Sequence, residues 1–205
     1  LPRYAAVLDD PRLDTVVLTV YTARDYGGGW DDLHLLRPWS EADREAEEQQ
    51  LEELGALLFE RWGDSAKNVI VVNNEADEKL MEILNYTGSA ELAVGNLAAW
   101  ANARQRAVER VRARHAGARM RLFHAFEISA VRLRIAEAGG RYRKSARGDG
   151  WNALADVLPG IRCDLVSYSA YESANAPHDT QAVETPPEQT AVRLRRDLDT
   201  IRDAA

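Results

Sequence analysis

Four short apolar runs punctuate an otherwise polar chain: Thr15 to Tyr21, Asn68 to Val72, Met120 to Phe126 and Asp164 to Tyr168. Each is too continuous in Val, Leu, Ile and Phe for a strand with one wet face, so the pattern predicts buried strands. Between them the period lengthens to that of a helix. Ser40 precedes Asp43 at capping-box spacing, and Leu51, Leu54 and Leu58 carry a stripe through a strongly acidic segment, predicting an amphipathic helix with a solvated acidic face. Leu97, Trp100, Val108 and Val111 predict a long helix that also bears Arg104, Arg106, Arg110, Arg112 and Arg114. A short helix is expected near Trp151 to Val157. A last one follows Thr185-Pro186-Pro187-Glu188, with Ala191, Leu194, Leu198 and Ile201 on its stripe.

Strand followed by helix, four times over, is the signature of a parallel α/β architecture in one domain spanning residues 1–205. Strand starts about 45 to 55 residues apart leave room for long loops beyond the roughly 30 residues of a minimal (βα)8 unit. A closed barrel needs eight strands, so the chain reads either as part of a (βα)8 TIM-barrel-like fold or as a small doubly wound sheet. In both, ligands sit beyond the carboxyl ends of the strands.

Composition narrows the classes. Of 205 residues, 45% are hydrophobic and 29% charged, the balance of a folded globular chain. No run reaches the roughly 18 to 20 apolar residues of a membrane-spanning helix. A formal net charge of -7 disfavours nucleic acid and anionic lipid as partners. The single cysteine, Cys163, excludes an internal disulfide framework. The start at Leu1-Pro2-Arg3, with no Met and no leader, reads as processed or trimmed, and Asn85-Tyr86-Thr87 matches a glycosylation acceptor.

Polar residues gather at the strand ends: Tyr21, Arg24 and Asp25; Asn73, Asn74, Glu75 and Asp77; His124 and Glu127; Tyr168, Tyr171 and Glu172. Tyr26, Trp30, Trp39, Tyr168 and Tyr171 could stack on sugar rings, whereas Trp62, Trp100 and Trp151 are expected in packing roles. Gly27-Gly28-Gly29 lacks the Lys-Ser/Thr of a phosphate loop. The histidines His34, His115, His124 and His178 show no paired ligand spacing, so neither a metal nor a cofactor is expected. His124 is expected to be a packed or hydrogen-bonded strand residue. Arg104, on the apolar stripe, either snorkels to solvent, the default, or reaches inward to a carboxylate.

Two of these segments resemble the cellulase-like superfamily (clan A) of TIM-barrel glycoside hydrolases. Asn74-Glu75, directly after an apolar strand, resembles the pair at the end of that family's fourth strand, and Asp164-Leu165-Val166-Ser167-Tyr168-Ser169-Ala170-Tyr171-Glu172-Ser173 resembles its sixth. The resemblance covers most of the chain from about Thr15 onward and implies a retaining hydrolase acting on a polysaccharide or oligosaccharide. It implies Glu75 as acid/base, Asn74 at a sugar hydroxyl, and Tyr168, Tyr171 and Trp30 as substrate contacts. It also favours an extracytoplasmic location. The family's second carboxylate follows the seventh strand, and this chain reads as ending after the sixth helix. That residue is therefore outside the sequence or replaced, with Glu172 and Glu127 as candidates within it. A catalytically inactive carbohydrate-binding barrel, or a nonglycosidic α/β enzyme or scaffold, would use the same rim differently.

Overall fold

The computed structural model describes residues 5–21, 33–145, 149–174 and 186–205. In chain order these form helix α1 (Ala5–Leu8), strand β1 (Thr15–Thr19), a 3₁₀ turn (Leu33–Leu36), α2 (Glu41–Trp62), β2 (Asn68–Val72), α3 (Ala76–Thr87), α4 (Ala90–Arg114) and β3 (Arg121–Ile128). A hairpin of β4 (Arg134–Glu137) and β5 (Tyr142–Ser145), a π turn (Ala153–Val157) and a 3₁₀ turn (Leu158–Gly160) follow, then β6 (Leu165–Tyr168), α5 (Tyr171–Ala174) and α6 (Pro187–Ala204).

Local chemistry accounts for the boundaries. The Ser40 hydroxyl accepts the Asp43 N–H while the Asp43 carboxylate accepts that of Ser40, the reciprocal box that starts α2. Ser89 caps α4, and Gly88, at φ 66°, supplies the left-handed turn that separates α3 from α4. Thr185, expected at the cap of the last helix, lies outside the described residues.

The four expected strands form one parallel sheet in the order β1-β2-β3-β6. Val17 lies beside Ile70, Ile70 beside Phe123, and Ala125 beside Leu165. Each strand of the sheet joins next to its predecessor, without the reversal of a doubly wound sheet. The connecting helices pack on one face. On that face Val69, Val71 and Leu122 pack under Leu51, Leu58, Phe59 and Trp62 of α2 and Val108 and Val111 of α4. Phe126 and Ile128 pack with Leu80, Ile83 and Leu84 of α3 and with Leu97 and Trp100 of α4. The opposite face is open in part: Val17 is 60% exposed and Leu165 41%, whereas Val72 and Ala125 on the same face are buried. Four strands in this order are thus present, and a closed eight-stranded barrel is not formed among the described residues.

Three features depart from the pattern reading. Helix α3 precedes the long helix, carried by the Leu80, Ile83, Leu84 stripe. The β4–β5 hairpin contains no apolar run and escapes a search for one, although Gly139 and Gly140, at φ 65° and 79°, make the tight turn that hairpins favour. Trp39, grouped with possible sugar-stacking residues, is instead buried in the core, its N–H donating to Asn96 Oδ1 at 3.3 Å while Asn96 Nδ2 donates to the carbonyls of Leu35 and Arg37.

Arg104 also departs from its default. Its side chain runs inward, 1% exposed, and Nε meets the equally buried Glu47 carboxylate at 2.7 Å. It donates further to the Val20 carbonyl at 3.0 Å and lies 4.1 Å over the Trp100 ring.

Candidate active site

The carboxyl ends of β2, β3 and β6 meet on one rim. Asn73, fully buried, accepts the Glu127 N–H on Oδ1 at 2.9 Å and donates to the Glu127 carbonyl at 3.2 Å, which extends the β2–β3 pairing past its last backbone rung and fixes where Glu127 stands. The Glu127 carboxylate in turn accepts the backbone N–H of Glu75 on Oε2 at 3.0 Å and the Ser169 hydroxyl on Oε1 at 2.5 Å. Glu75, the residue before α3, lends its carbonyl to the N–H groups of Glu78 and Lys79, and its side chain is not consumed in capping the helix.

The Glu75 carboxyl is half-buried, and burial raises it above the ordinary glutamate value. Glu78 and Glu127, as like charges, push the same way; Lys144 and the Tyr171 hydroxyl, which approaches the carboxylate, oppose them. A carboxyl so placed holds a proton longer than an exposed one does, the condition for a general acid near neutral pH. Asn74 sits half-buried beside it, its carbonyl accepting from Asn73 Nδ2 at 3.4 Å.

The other expected residues are distributed unevenly. Glu172 is folded into the loop after β3, where its carboxylate accepts the N–H groups of Val131, Arg132 and Leu133 at 3.2, 2.9 and 2.9 Å. Tyr168 lies on the helix-covered side against the core, its hydroxyl donating to Asp197 at 3.1 Å, and burial pushes its phenol up. Tyr168, expected as a substrate contact, is thus partly buried against the core, while Tyr171, more than half exposed, lies at the rim. Trp30 and Tyr26 lie outside the described residues, as do Arg24, Asp25, Gly27-Gly28-Gly29 and His178.

Two further buried groups, Asp77 in the first turn of α3 and His124 in the middle of β3, have structural work. Asp77 accepts the N–H groups of Ser129 and Ala130 on Oδ2 and of Ala153 on Oδ1, all within 2.9 Å, and burial outweighs these bonds to raise its carboxyl. His124 is buried, with Nδ1 3.2 Å from Gln105 Oε1; burial holds the ring down to about 3, and the adjacent Arg104 adds to this, so it is neutral.

Residues that pattern reading missed complete the rim. Ser169 contributes one bond to Glu127, and Lys144 bonds both Ser129 and Glu78; they join Asn73, which stood in the polar cluster after β2 and bonds Glu127 twice. Lys144 Nζ donates to Ser129 Oγ at 3.0 Å and pairs with Glu78 at 2.6 Å. A cavity of about 670 Å³ opens elsewhere, beside the start of β6 between Gln105, Pro159, Arg162 and Asp164, and includes none of these groups. Among the described residues no cluster of three or more His, Cys, Asp or Glu side chains is arranged to hold a metal, and no helix is long and apolar enough to cross a membrane. Comparison with protein-family models, curated proteins and solved structures finds no match to this chain.

Proposed function

We propose that this chain is a glycoside hydrolase-like domain acting on a polysaccharide or oligosaccharide, with Glu75 as the acid/base. The carrying observation is Glu75 itself, a half-buried carboxyl with a raised proton affinity at a strand's carboxyl end, its backbone held by Glu127 and its side chain not spent on capping α3. Strands added in order, with their helices on one side, are what four consecutive strands of a (βα)8 barrel require and support that architecture. In the reaction Glu75 passes its proton to the glycosidic oxygen as the bond to the anomeric carbon breaks and the electron pair leaves with that oxygen. It then takes a proton back from the water that adds to the sugar. In this reading Asn74 and Tyr171 bond sugar hydroxyls beside it. Retention of configuration rests on the family resemblance alone.

A second reading, carbohydrate binding without cleavage, draws support from one observation. Both carboxylates expected as the second catalytic group, Glu127 and Glu172, are engaged by backbone N–H groups that hold them in structural roles. Release of reducing ends from a polysaccharide panel, by the protein and by Glu75→Gln, decides between them. The hydrolase reading expects turnover that falls about 10²- to 10⁴-fold in the variant. Saturable glycan binding with no new reducing ends would establish the binding reading, and equal turnover in both proteins would remove Glu75 from the chemistry.

A further inference from the structure

We propose that Lys144 is the electrostatic positioning residue of the Glu75 rim, a cation carried in on the β4–β5 hairpin and held there by Glu78 and Ser129. The inference rests on reading Glu75 as the proton-transferring carboxylate.

The hairpin is built to deliver this ammonium. Alternation along β5 sets Tyr142 and Lys144 on the side facing the domain and leaves Arg143 exposed. Tyr142 packs edge-on to Trp151 with centroids 6.1 Å apart, and its backbone N–H and carbonyl are both held by the Asn85 amide, at 2.8 and 3.0 Å. Two residues on, Lys144 reaches back to the first turn of α3 and the end of β3, bonding Glu78 and Ser129, and Ser129 is itself fixed through its N–H to Asp77 at 2.8 Å. The side chain is only 19% exposed. A lysine kept for solubility would lie in water; this one is drawn inward and held by two partners.

Among the described residues the groups that act on Glu75 are Glu78 from α3, whose N–H bonds the Glu75 carbonyl at 3.1 Å, Glu127 from β3, which accepts the Glu75 N–H at 3.0 Å, Tyr171 from α5, and Lys144 from β5, 2.6 Å from Glu78. Without Lys144, Glu75, Glu78 and Glu127 would share a half-buried rim without the cation that offsets their repulsion. Lys144 ties up Glu78 and places a positive field across Glu75. It acts through that field, which keeps the carboxyl able to lose its proton to a substrate and recover it afterwards.

The test follows the Glu75 carboxyl by ¹³C NMR through a pH titration of the full chain, with Glu75→Gln to assign the signal. Lys144→Met is expected to move the midpoint upward by roughly 0.5 to 1 unit, and Lys144→Arg to restore it. Glu78→Gln, which removes a like charge and leaves the ammonium, is expected to move it downward. An unmoved midpoint in Lys144→Met with the hairpin amide signals intact overturns the proposal; should that variant lose the hairpin, an unmoved midpoint in Glu78→Gln overturns it. Where glycan turnover is observed, the alkaline limb of kcat/KM shifts with the midpoint. A shifted titration in a protein that cleaves no glycan sustains the electrostatic role and removes the hydrolase reading. Turnover that depends on Glu75 but a midpoint indifferent to Lys144 does the reverse.

Discussion

The Glu127 carboxylate accepts the backbone N–H of Glu75 at 3.0 Å, although the two lie 52 positions apart. A side chain at the end of one strand thereby fixes the main chain at the end of its neighbour, and the Glu75 side chain is left to project from a pinned backbone. The bond also satisfies an N–H at the start of α3, where negative charge is favoured.

Glu127→Ala removes the acceptor for both the Glu75 N–H and the Ser169 hydroxyl. A charge-assisted bond of this kind is worth about 1.5 to 3 kcal/mol, so the thermal midpoint should fall by several degrees. Glycan turnover should fall further than binding, since an ångström of misplacement at Glu75 costs on the order of 100-fold. Unchanged kcat in a folded Glu127→Ala protein would separate the two residues functionally.

His124 makes stability pH-dependent. Its folded-state value of about 3 lies below that of an unfolded histidine, so between about 6.5 and 3 the unfolded chain binds a proton that the folded one refuses. The contribution is complete above about pH 6.5 and is lost as pH falls toward 3. Between pH 7 and 4.5 this amounts to about 2 to 3 kcal/mol. Urea unfolding of the protein and of His124→Gln at both pH values measures it: the variant should lose less stability on acidification, and identical losses would show that His124 does not titrate as described.

Arg104 and Glu47 form an ion pair sealed from solvent beneath the sheet's helical layer. Removing one partner strands the other, so Glu47→Gln or Arg104→Met should each cost about 3 to 5 kcal/mol in chemical denaturation. Replacing both with apolar residues should cost less than the sum of the single changes, and simple additivity would show that the charges are not coupled.

Glu172, with three N–H groups on its carboxylate, is expected to act on the fold. Glu172→Gln should lower the thermal midpoint by roughly 4 to 8 °C while any kcat is kept in the folded fraction. A folded Glu172→Gln protein that binds glycan but no longer cleaves it would instead make this residue the second carboxylate.

The four parallel strands, the capped α2, the long α4 and the last helix are legible along the chain because each rests on a local rule: an apolar run, a 3.6-residue stripe, or Ser40 and Asp43 at capping distance. Asn74-Glu75 stood out for the same reason, as polar residues placed abruptly after an all-apolar strand. The side on which each strand joins the sheet, the partly open face bearing Val17 and Leu165, and the company Glu75 keeps are tertiary outcomes. Glu127 is bonded to a backbone N–H, and every residue except proline offers one, so no spacing in the sequence marks that choice. Lys144 is one cation among many, distinguished only because the Gly139-Gly140 turn folds its strand back onto α3. Tyr168 and Tyr171 differ by three positions, yet strand alternation buries one against Asp197 and a change of element leaves the other at the rim. Local patterns encode which elements form; which side chains meet depends on how those elements pack, through contacts that no single segment carries.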